Sequence, residues 1–300
     1  MLVMPTDERF CRYFPCCGKS MCGGCCYQHE KSRERAAERE QMWVPHACAF
    51  CRTAVPESNE AVLARLRKRV EHKDPKALYN MAMCYGFGHL GLSVDQEKCI
   101  DLLLQSADLG FPDSQYQLGC YYYDGEMGLE RNQEEAIKSW EKAAEGGNLL
   151  AQHNLGSAEN NTNGNYAAAI HHWQLSASGG FKLAMNGLID YFEDGLLHHG
   201  DLAETLQAFY LARAELRSED RDEYIEHLKR IGKYMYEPGF WQIEPGEFLE
   251  VGCQILIRAG FDFSLLRTTE RRHALQRRQR PGNSQINHPS ALTASGSSID

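Results

Sequence analysis

The chain has 300 residues, of which 43% are hydrophobic, and a formal net charge of −9 at pH 7. An acidic surface repels phosphate, which argues against a general nucleic-acid-binding protein, and no apolar run reaches the roughly 20 residues with which a helix crosses a bilayer. The N-terminus also lacks the basic and then apolar pattern of a secretory signal. We therefore expect an intracellular protein, cytoplasmic or nuclear, whose partners are neither nucleic acid nor membrane.

The N-terminal region, residues 1–56, contains eight of the twelve cysteines. Such clustering in an intracellular chain favours metal binding over disulfides. Cys22 with Cys25, and Cys48 with Cys51, have the C-x2-C spacing with which two thiolates bind one tetrahedral zinc ion. Three glycines nearby are expected to form tight turns: Gly18, Gly23 and Gly24. The sequence therefore predicts a small zinc module, and the alternative is a leader with free or partly oxidised thiols.

This region resembles a RING-type zinc finger, in which four ligand pairs bind two zinc ions crosswise. The resemblance implies six ligands, from the second, third and fourth pairs in turn: Cys16 and Cys17, Cys22 and Cys25, Cys48 and Cys51. Because the first pair is missing, a complete site could form only from the second and fourth pairs. The other site would need a substitute ligand from the remaining cysteines and histidines: Cys11, Cys26, His29 or His46.

The missing pair has two explanations. Either the protein extends upstream of Met1 and carries the pair there, or the module is a degenerate remnant that holds one zinc ion. The run Leu2-Val3-Met4-Pro5 reads like the continuation of a RING loop, which favours the first explanation. Since small zinc domains fold because the metal is bound, the loss of half a site would threaten the whole module.

RING fingers bind a ubiquitin-conjugating enzyme through an apolar groove and through an arginine that follows the last zinc ligand. The resemblance implies these partner-binding roles for Trp43 and Arg52, respectively. Each residue also has an ordinary interpretation, since Trp43 could pack the small core and Arg52 could be a solvated charge.

Residues 57–76 are predicted to form a connecting helix ahead of the repeats. Between Glu60 and Val70, apolar residues recur at positions 62, 63, 66 and 70, which is the pattern of an amphipathic helix. The charged run from Glu30 to Glu40 is expected to be a solvated helix or loop.

Residues 77–217 contain a repeated pattern made of two blocks. The first block starts at Ala77, Ser114 and Ala151, with a looser copy at Ala184, so that the starts lie 37, 37 and 33 residues apart. The second block recurs with a large residue at one point, which is Trp140 in the second copy and Trp173 in the third. Two helical blocks separated by glycine, with a period in the thirties, indicate a solenoid of helix pairs.

The blocks resemble Sel-1-like repeats, which are relatives of tetratricopeptide repeats. The resemblance implies a mainly α fold, an α/α superhelical solenoid with a small RING-like zinc module at its N-terminus. Small residues at fixed points would let helices approach, and the tryptophans would fill the space between layers.

A second face of each first-block helix is predicted to form a protein-binding groove. Counting the block start as position 0, positions 2, 6 and 9 lie opposite the core face. We assign six groove residues to these columns: Tyr79, Met83, Tyr116, Cys120, Tyr123 and His153. Stacked units would align them for an extended peptide or a partner helix. The alternative is that these side chains pack against an adjoining helix.

The remainder of the chain is predicted as a helical cap over residues 218–265, followed by a disordered tail, basic and then polar, over residues 266–300. A helix from Arg221 to Ile231 is expected to close the exposed end of the solenoid. No nucleophile with an adjacent base and no phosphate-binding loop is recognisable, which argues against a metabolic enzyme.

Two functions are consistent with these features of the sequence. The first is a ubiquitin ligase whose solenoid selects a protein substrate and whose zinc module recruits the conjugating enzyme. The second is a non-enzymatic adaptor in which both parts are docking surfaces only. The C-x2-C pairs and Arg52 favour the first, and the missing ligand pair favours the second.

Overall fold

The structure, a computed structural model, describes residues 11–40, 47–216 and 219–230. It is mainly helical, as predicted, and its only strands in those ranges are β1 (Cys11–Phe14) and β2 (Lys19–Cys22). The helices follow in chain order: α1 (Gly23–Glu40), α2 (Asn59–Glu71), α3 (Pro75–Phe87), α4 (Gln96–Asp108), α5 (Pro112–Asp124), α6 (Gln133–Glu145), α7 (Leu149–Ala158), α8 (Tyr166–Ser178), α9 (Lys182–Glu193), α10 (His199–Leu216) and α11 (Glu219–Arg230). None of these helices is both long and apolar enough to cross a bilayer.

The N-terminal strands form an antiparallel hairpin, with Cys11 opposite Cys22 and Phe14 opposite Lys19. Gly18 lies in its turn with a left-handed φ of +72°, as predicted for a turn glycine.

The prediction that Gly23 and Gly24 form turns is wrong, because they are the first residues of α1. Gly23 is needed for a close approach instead. A Cβ at this position would overlap the ring of Tyr224 on α11.

The repeats form helix pairs, α3 with α4, α5 with α6, α7 with α8 and α9 with α10, and each pair packs on the next. Side-chain caps start several of these helices. Asp74, for example, accepts hydrogen bonds from the backbone of Lys76 and Ala77 at the start of α3. Gly88 and Gly125 end α3 and α5 in the left-handed conformation, which explains the glycine at the end of the first block.

Glycine and tryptophan are paired across the helices of a unit. A Cβ on Gly119 would overlap the indole of Trp140, and a Cβ on Gly156 would overlap that of Trp173. The exposed fraction is 3% for Trp140 and 7% for Trp173. The large residues therefore fill the space left by the small ones, as the repeat pattern predicted.

Buried serines of both blocks have a polar role that the pattern alone did not indicate. Ser106 is fully buried and donates to the Pro75 carbonyl at 2.7 Å, while Ser114 donates to Ser106 at 2.7 Å. Ser176 repeats the arrangement with the Leu149 carbonyl at 2.8 Å. The buried hydroxyls are thus satisfied, as an apolar interior requires.

The connecting helix and the fourth helix pair are present. α2 buries Leu63 and Leu66 against α3, while Val62 and Val70 are partly buried. In the fourth pair, Arg213 is buried and donates to the Gly180 carbonyl at 3.1 Å.

The last described helix, α11, packs against α1, whereas the sequence suggested a cap on the end of the solenoid. The Tyr27 ring lies 6.0 Å from that of Tyr224 and 4.9 Å from that of His227. Lys31 on α1 forms an ion pair with Glu223 on α11. The rest of the predicted cap after Arg230, the tail over residues 266–300, and Trp43 lie outside the described residues.

Candidate metal centre and partner-binding groove

Four cysteine sulfurs converge beside the N-terminal hairpin. Cys16 and Cys17 lie in its turn, and Cys48 and Cys51 lie in the loop before α2. All four Sγ atoms lie within 4.8 Å of one another. The Cys16 and Cys51 sulfurs are 3.5 Å apart, and those of Cys17 and Cys48 are 3.8 Å apart. The structure therefore brings together the four residues that the RING resemblance assigned to a complete site.

This spacing fits a tetrahedral zinc ion. Four thiolates that each lie about 2.3 Å from zinc are about 3.8 Å from one another, and thiolate is the ligand that structural zinc sites prefer. The two sulfur separations, 3.5 Å and 3.8 Å, are close to that value. The cluster could therefore bind a metal after small side-chain movements.

Backbone hydrogen bonds shape the loop that carries the last two thiols. Cys48 donates its N–H to the Thr53 carbonyl at 2.8 Å, and Arg52 donates its N–H to the Cys48 carbonyl at 3.0 Å. Arg52 adopts a left-handed φ of +61°, so the chain reverses directly after Cys51. The side chain of Arg52 is exposed.

The thiols of the cluster differ in acidity. The hydroxyl and backbone N–H of Thr53 stabilise the Cys51 thiolate and lower its pKa to about 6. Burial raises the pKa of Cys16 and of Cys17. The neighbouring thiols raise the pKa of Cys16 further, and Cys48 also raises that of Cys17. Packed thiolates repel one another, and a bound divalent cation would offset that repulsion.

The other predicted pair, Cys22 and Cys25, lies apart from this cluster. The buried Cys22 sulfur accepts a hydrogen bond from the backbone N–H of Cys25 at 3.4 Å. Within the described part of the chain, no group of three or more potential metal ligands includes either residue, nor the possible substitutes Cys26 and His29. The side chains of the other two possible substitutes lie outside the described residues.

The cysteine-rich module is joined to the solenoid by a polar contact that the sequence did not indicate. Tyr13 on β1 donates its hydroxyl to the Asp74 carboxylate at 2.9 Å, and Arg69 forms an ion pair with the same carboxylate at 3.1 Å. Burial raises the pKa of Tyr13 to about 12. Because Asp74 also caps α3, the module is fixed at the start of the first repeat.

All six predicted groove residues are half-buried in the described structure. Tyr79 and Met83 pack against the core of the first two units. Tyr116, Cys120 and Tyr123 pack against the core between the second and third units. The alternative interpretation, packing against adjoining helices, therefore accounts for part of each side chain, and only the remaining surface is available to a partner.

A cavity of about 220 Å³ opens between α5, α6 and α7. Seven residues line it: Cys120, Tyr123, Asp124, Trp140, Asn154, Ser157 and Ala158. Cys120 and Tyr123 are predicted groove residues, and Ser157 occupies position 6 of the third unit. Asp124 and Asn154 were not predicted from the sequence. They occupy positions 10 and 3 of the first block, whereas the groove was predicted from positions 2, 6 and 9.

His153, the last predicted groove residue, lies in the next interface along the stack. Its ring centroid is 6.3 Å from that of Trp173 and 5.1 Å from that of Phe181. Burial lowers the pKa of His153 to about 4. Its Nδ1 atom is buried and forms no hydrogen bond within the described residues.

Comparison with known families agrees with this architecture. A model of the Sel1 repeat matches residues 75–111, 112–148 and 149–181. The chain carries three Sel1 repeats. These Sel1 repeats correspond to the first three helix pairs, and the fourth pair, α9 with α10, extends the same stack beyond the matched region.

Several solved structures are similar to this chain. A Sel1 repeat protein from Oxalobacter formigenes is 25% identical, with a TM-score of 0.40, over 43% of this chain and 98% of that one. A protective antigen of uropathogenic Escherichia coli with an SLR fold is 18% identical, with a TM-score of 0.44, over 81% of this chain and 62% of that one. An immunity protein from Pseudomonas aeruginosa is 18% identical, with a TM-score of 0.38, over 82% of this chain and 81% of that one. Among curated proteins, no sequence matches the chain.

Sel1 repeats mediate protein–protein interaction, and the structure adds a cluster of four thiols that could bind a metal.

Proposed function

We propose that this protein is a docking protein, in which the Sel1 repeats bind a segment of a protein partner and one zinc ion stabilises the N-terminal module. The observation that carries the proposal is the cavity beside Cys120 and Tyr123, which opens at predicted groove positions between two Sel1 repeats. Half-exposed tyrosine is a residue type enriched at protein interfaces.

The zinc ion is proposed from the chemistry and spacing of the thiols at Cys16, Cys17, Cys48 and Cys51. Its role would be structural, because four protein ligands leave no open coordination position. The contact of Tyr13 with Asp74 would then hold a metal-stabilised module at the start of the repeats.

Peptide selection tests the docking function. Short displayed peptides are selected on the immobilised full chain, and each is then measured by fluorescence anisotropy against variants. Tyr123→Ala should weaken binding, whereas Leu104→Ala, at an exposed apolar residue of α4, should leave binding unchanged. Equal effects of the two variants, or no selected peptide at all, would contradict the proposal.

A RING-type ubiquitin ligase is the second candidate function. It is favoured by Arg52, an exposed arginine that directly follows the last thiol of the cluster. Transfer of ubiquitin should then occur with at least one conjugating enzyme of a panel, and Arg52→Ala should reduce it while the zinc content stays the same. Arg67→Ala, at an exposed arginine of α2, is the matched control. Absence of transfer with every enzyme of the panel would leave the docking function alone.

A further inference from the structure

The cavity between the second and third Sel1 repeats combines aromatic walls with negative charge. The rings of Tyr123 and Trp140 have centroids 5.3 Å apart and both line the cavity. Asp124, the last residue of α5, is exposed at its edge. Among the described residues, no side chain pairs with the Asp124 carboxylate.

The negative charge at the edge of the cavity also affects a side chain on the cavity wall. Cys120 lies on the cavity wall, where burial raises the pKa of its thiol, hydrogen bonds with Tyr116 and Trp140 lower it, and the charges of Asp124 and Glu126 raise it. A charge that opposes ionisation of a buried thiol is one that attracts a cation. The field in the cavity therefore favours a positively charged occupant.

The aromatic wall favours the same kind of occupant. A guanidinium or ammonium group is attracted to the face of tryptophan or tyrosine. The Tyr123 ring already attracts one such group, since the Arg131 guanidinium lies 5.7 Å from its centroid. Arg131 is not among the residues that line the cavity, so the cavity itself is available to a cation from outside.

The cavity is large enough for one long side chain. Small-molecule pockets have volumes of about 300–1,000 Å³, and this cavity is smaller, at about 220 Å³. A long aliphatic stem could lie along the two rings while its charged head reaches Asp124.

The neighbouring repeats do not offer the same combination. The residues equivalent to Asp124 are Phe87 in the first unit and Asn161 in the third. Those equivalent to Tyr123 are glycine and asparagine. The acid and the tyrosine therefore occur together only in the second of the three matched units.

From these observations we infer that the cavity binds a lysine or arginine side chain of the partner segment. The inference rests on the proposed docking function and names the residue that this part of the solenoid recognises. Asp124 would pair with the charged group, and Tyr123 and Trp140 would contact its stem.

A double-mutant cycle tests the inference. Peptides selected on the full chain should share a lysine or arginine at one position, and replacing it by glutamine should weaken binding about 5- to 30-fold, the range expected for a cation at an aromatic and acidic site. Asp124→Asn should weaken the parent peptide similarly but should hardly change the affinity of the glutamine peptide, because the interacting pair is already broken.

Two controls separate the possible outcomes. Asp101→Asn removes the same charge from an exposed position of α4 and should leave both peptides unaffected. Asp124→Lys should favour a peptide with glutamate in place of the basic residue. The inference would be overturned, while the docking function would stand, if the selected peptides lacked a common basic residue. The same conclusion would follow if Asp124→Asn and Asp101→Asn weakened peptide binding equally. Failure to select any peptide would overturn the docking function and the inference with it.

Discussion

The buried imidazole of His153 predicts a specific loss of stability in acid. Burial between the Trp173 and Phe181 rings lowers its pKa from 6.5 to about 4. The unfolded chain therefore binds a proton more readily than the folded one. The contribution of the neutral, buried imidazole to the free energy of unfolding is complete above the unfolded pKa of 6.5. It is lost as the pH falls toward the folded pKa near 4.

The magnitude follows from the size of the pKa shift. The difference of about 2.5 between the unfolded and folded pKa values corresponds to about 3.4 kcal/mol of unfolding free energy once the histidine is protonated in both states. At pH 5, proton linkage predicts that the free energy of unfolding has fallen by about 2 kcal/mol. Since each repeat contacts only its neighbours, the effect should be greatest for the unit formed by α7 and α8.

Urea unfolding followed by far-ultraviolet circular dichroism at pH 7.5 and pH 5 measures this effect. His153→Gln cannot be protonated at this position, so its free energy of unfolding should fall by about 2 kcal/mol less than that of the wild type between the two pH values. His171→Gln, at an exposed histidine of α8, should behave like the wild type. Equal acid sensitivity of the wild type and His153→Gln would refute the assigned burial of this ring.

Three further predictions concern the metal and the packing. Elemental analysis should find about one zinc ion per chain, and joint replacement of Cys48 and Cys51 by serine should remove it without lowering the melting temperature of the solenoid. Trp140→Ala should destabilise the protein by about 3–5 kcal/mol in urea unfolding, because a large buried ring is lost. Gly119→Ala should cost about 1–3 kcal/mol in the same assay, since the new methyl group overlaps the Trp140 indole.

Each of these three predictions has its own control variant. Joint replacement of Cys22 and Cys25 by serine should retain the zinc ion, and its loss would mean that these thiols also bind metal. Leu104→Ala should change stability by no more than about 0.5 kcal/mol, so an equal cost for Trp140→Ala would mean that the repeat pattern is misaligned. Gly200→Ala adds a methyl group where nothing lies within 4 Å, and destabilisation equal to that of Gly119→Ala would contradict the steric explanation.

The lining of the cavity between α5, α6 and α7 could be predicted only in part. The sequence pattern identified Cys120 and Tyr123, because helical spacing determines which residues share a face. Spacing could not show how much of each side chain the next repeat would cover, nor that Asp124 from α5 and Asn154 from α7 would line one cavity with Trp140 from α6. These residues come together through the offset between successive helix pairs, which depends on packing.

The sequence by itself determined the helix pairs, since apolar spacing, caps such as Asp74 and left-handed glycines such as Gly88 act within a few residues of the chain. It also determined that Trp140 is buried, because the pattern placed it on the core face. Only the tertiary structure decided that Gly23 is a site of close approach, that Tyr13 joins the cysteine-rich module to Asp74, and that α11 packs against α1. Each of these contacts joins residues separated by 61 or more positions, and no local preference specifies which distant surface a helix will meet.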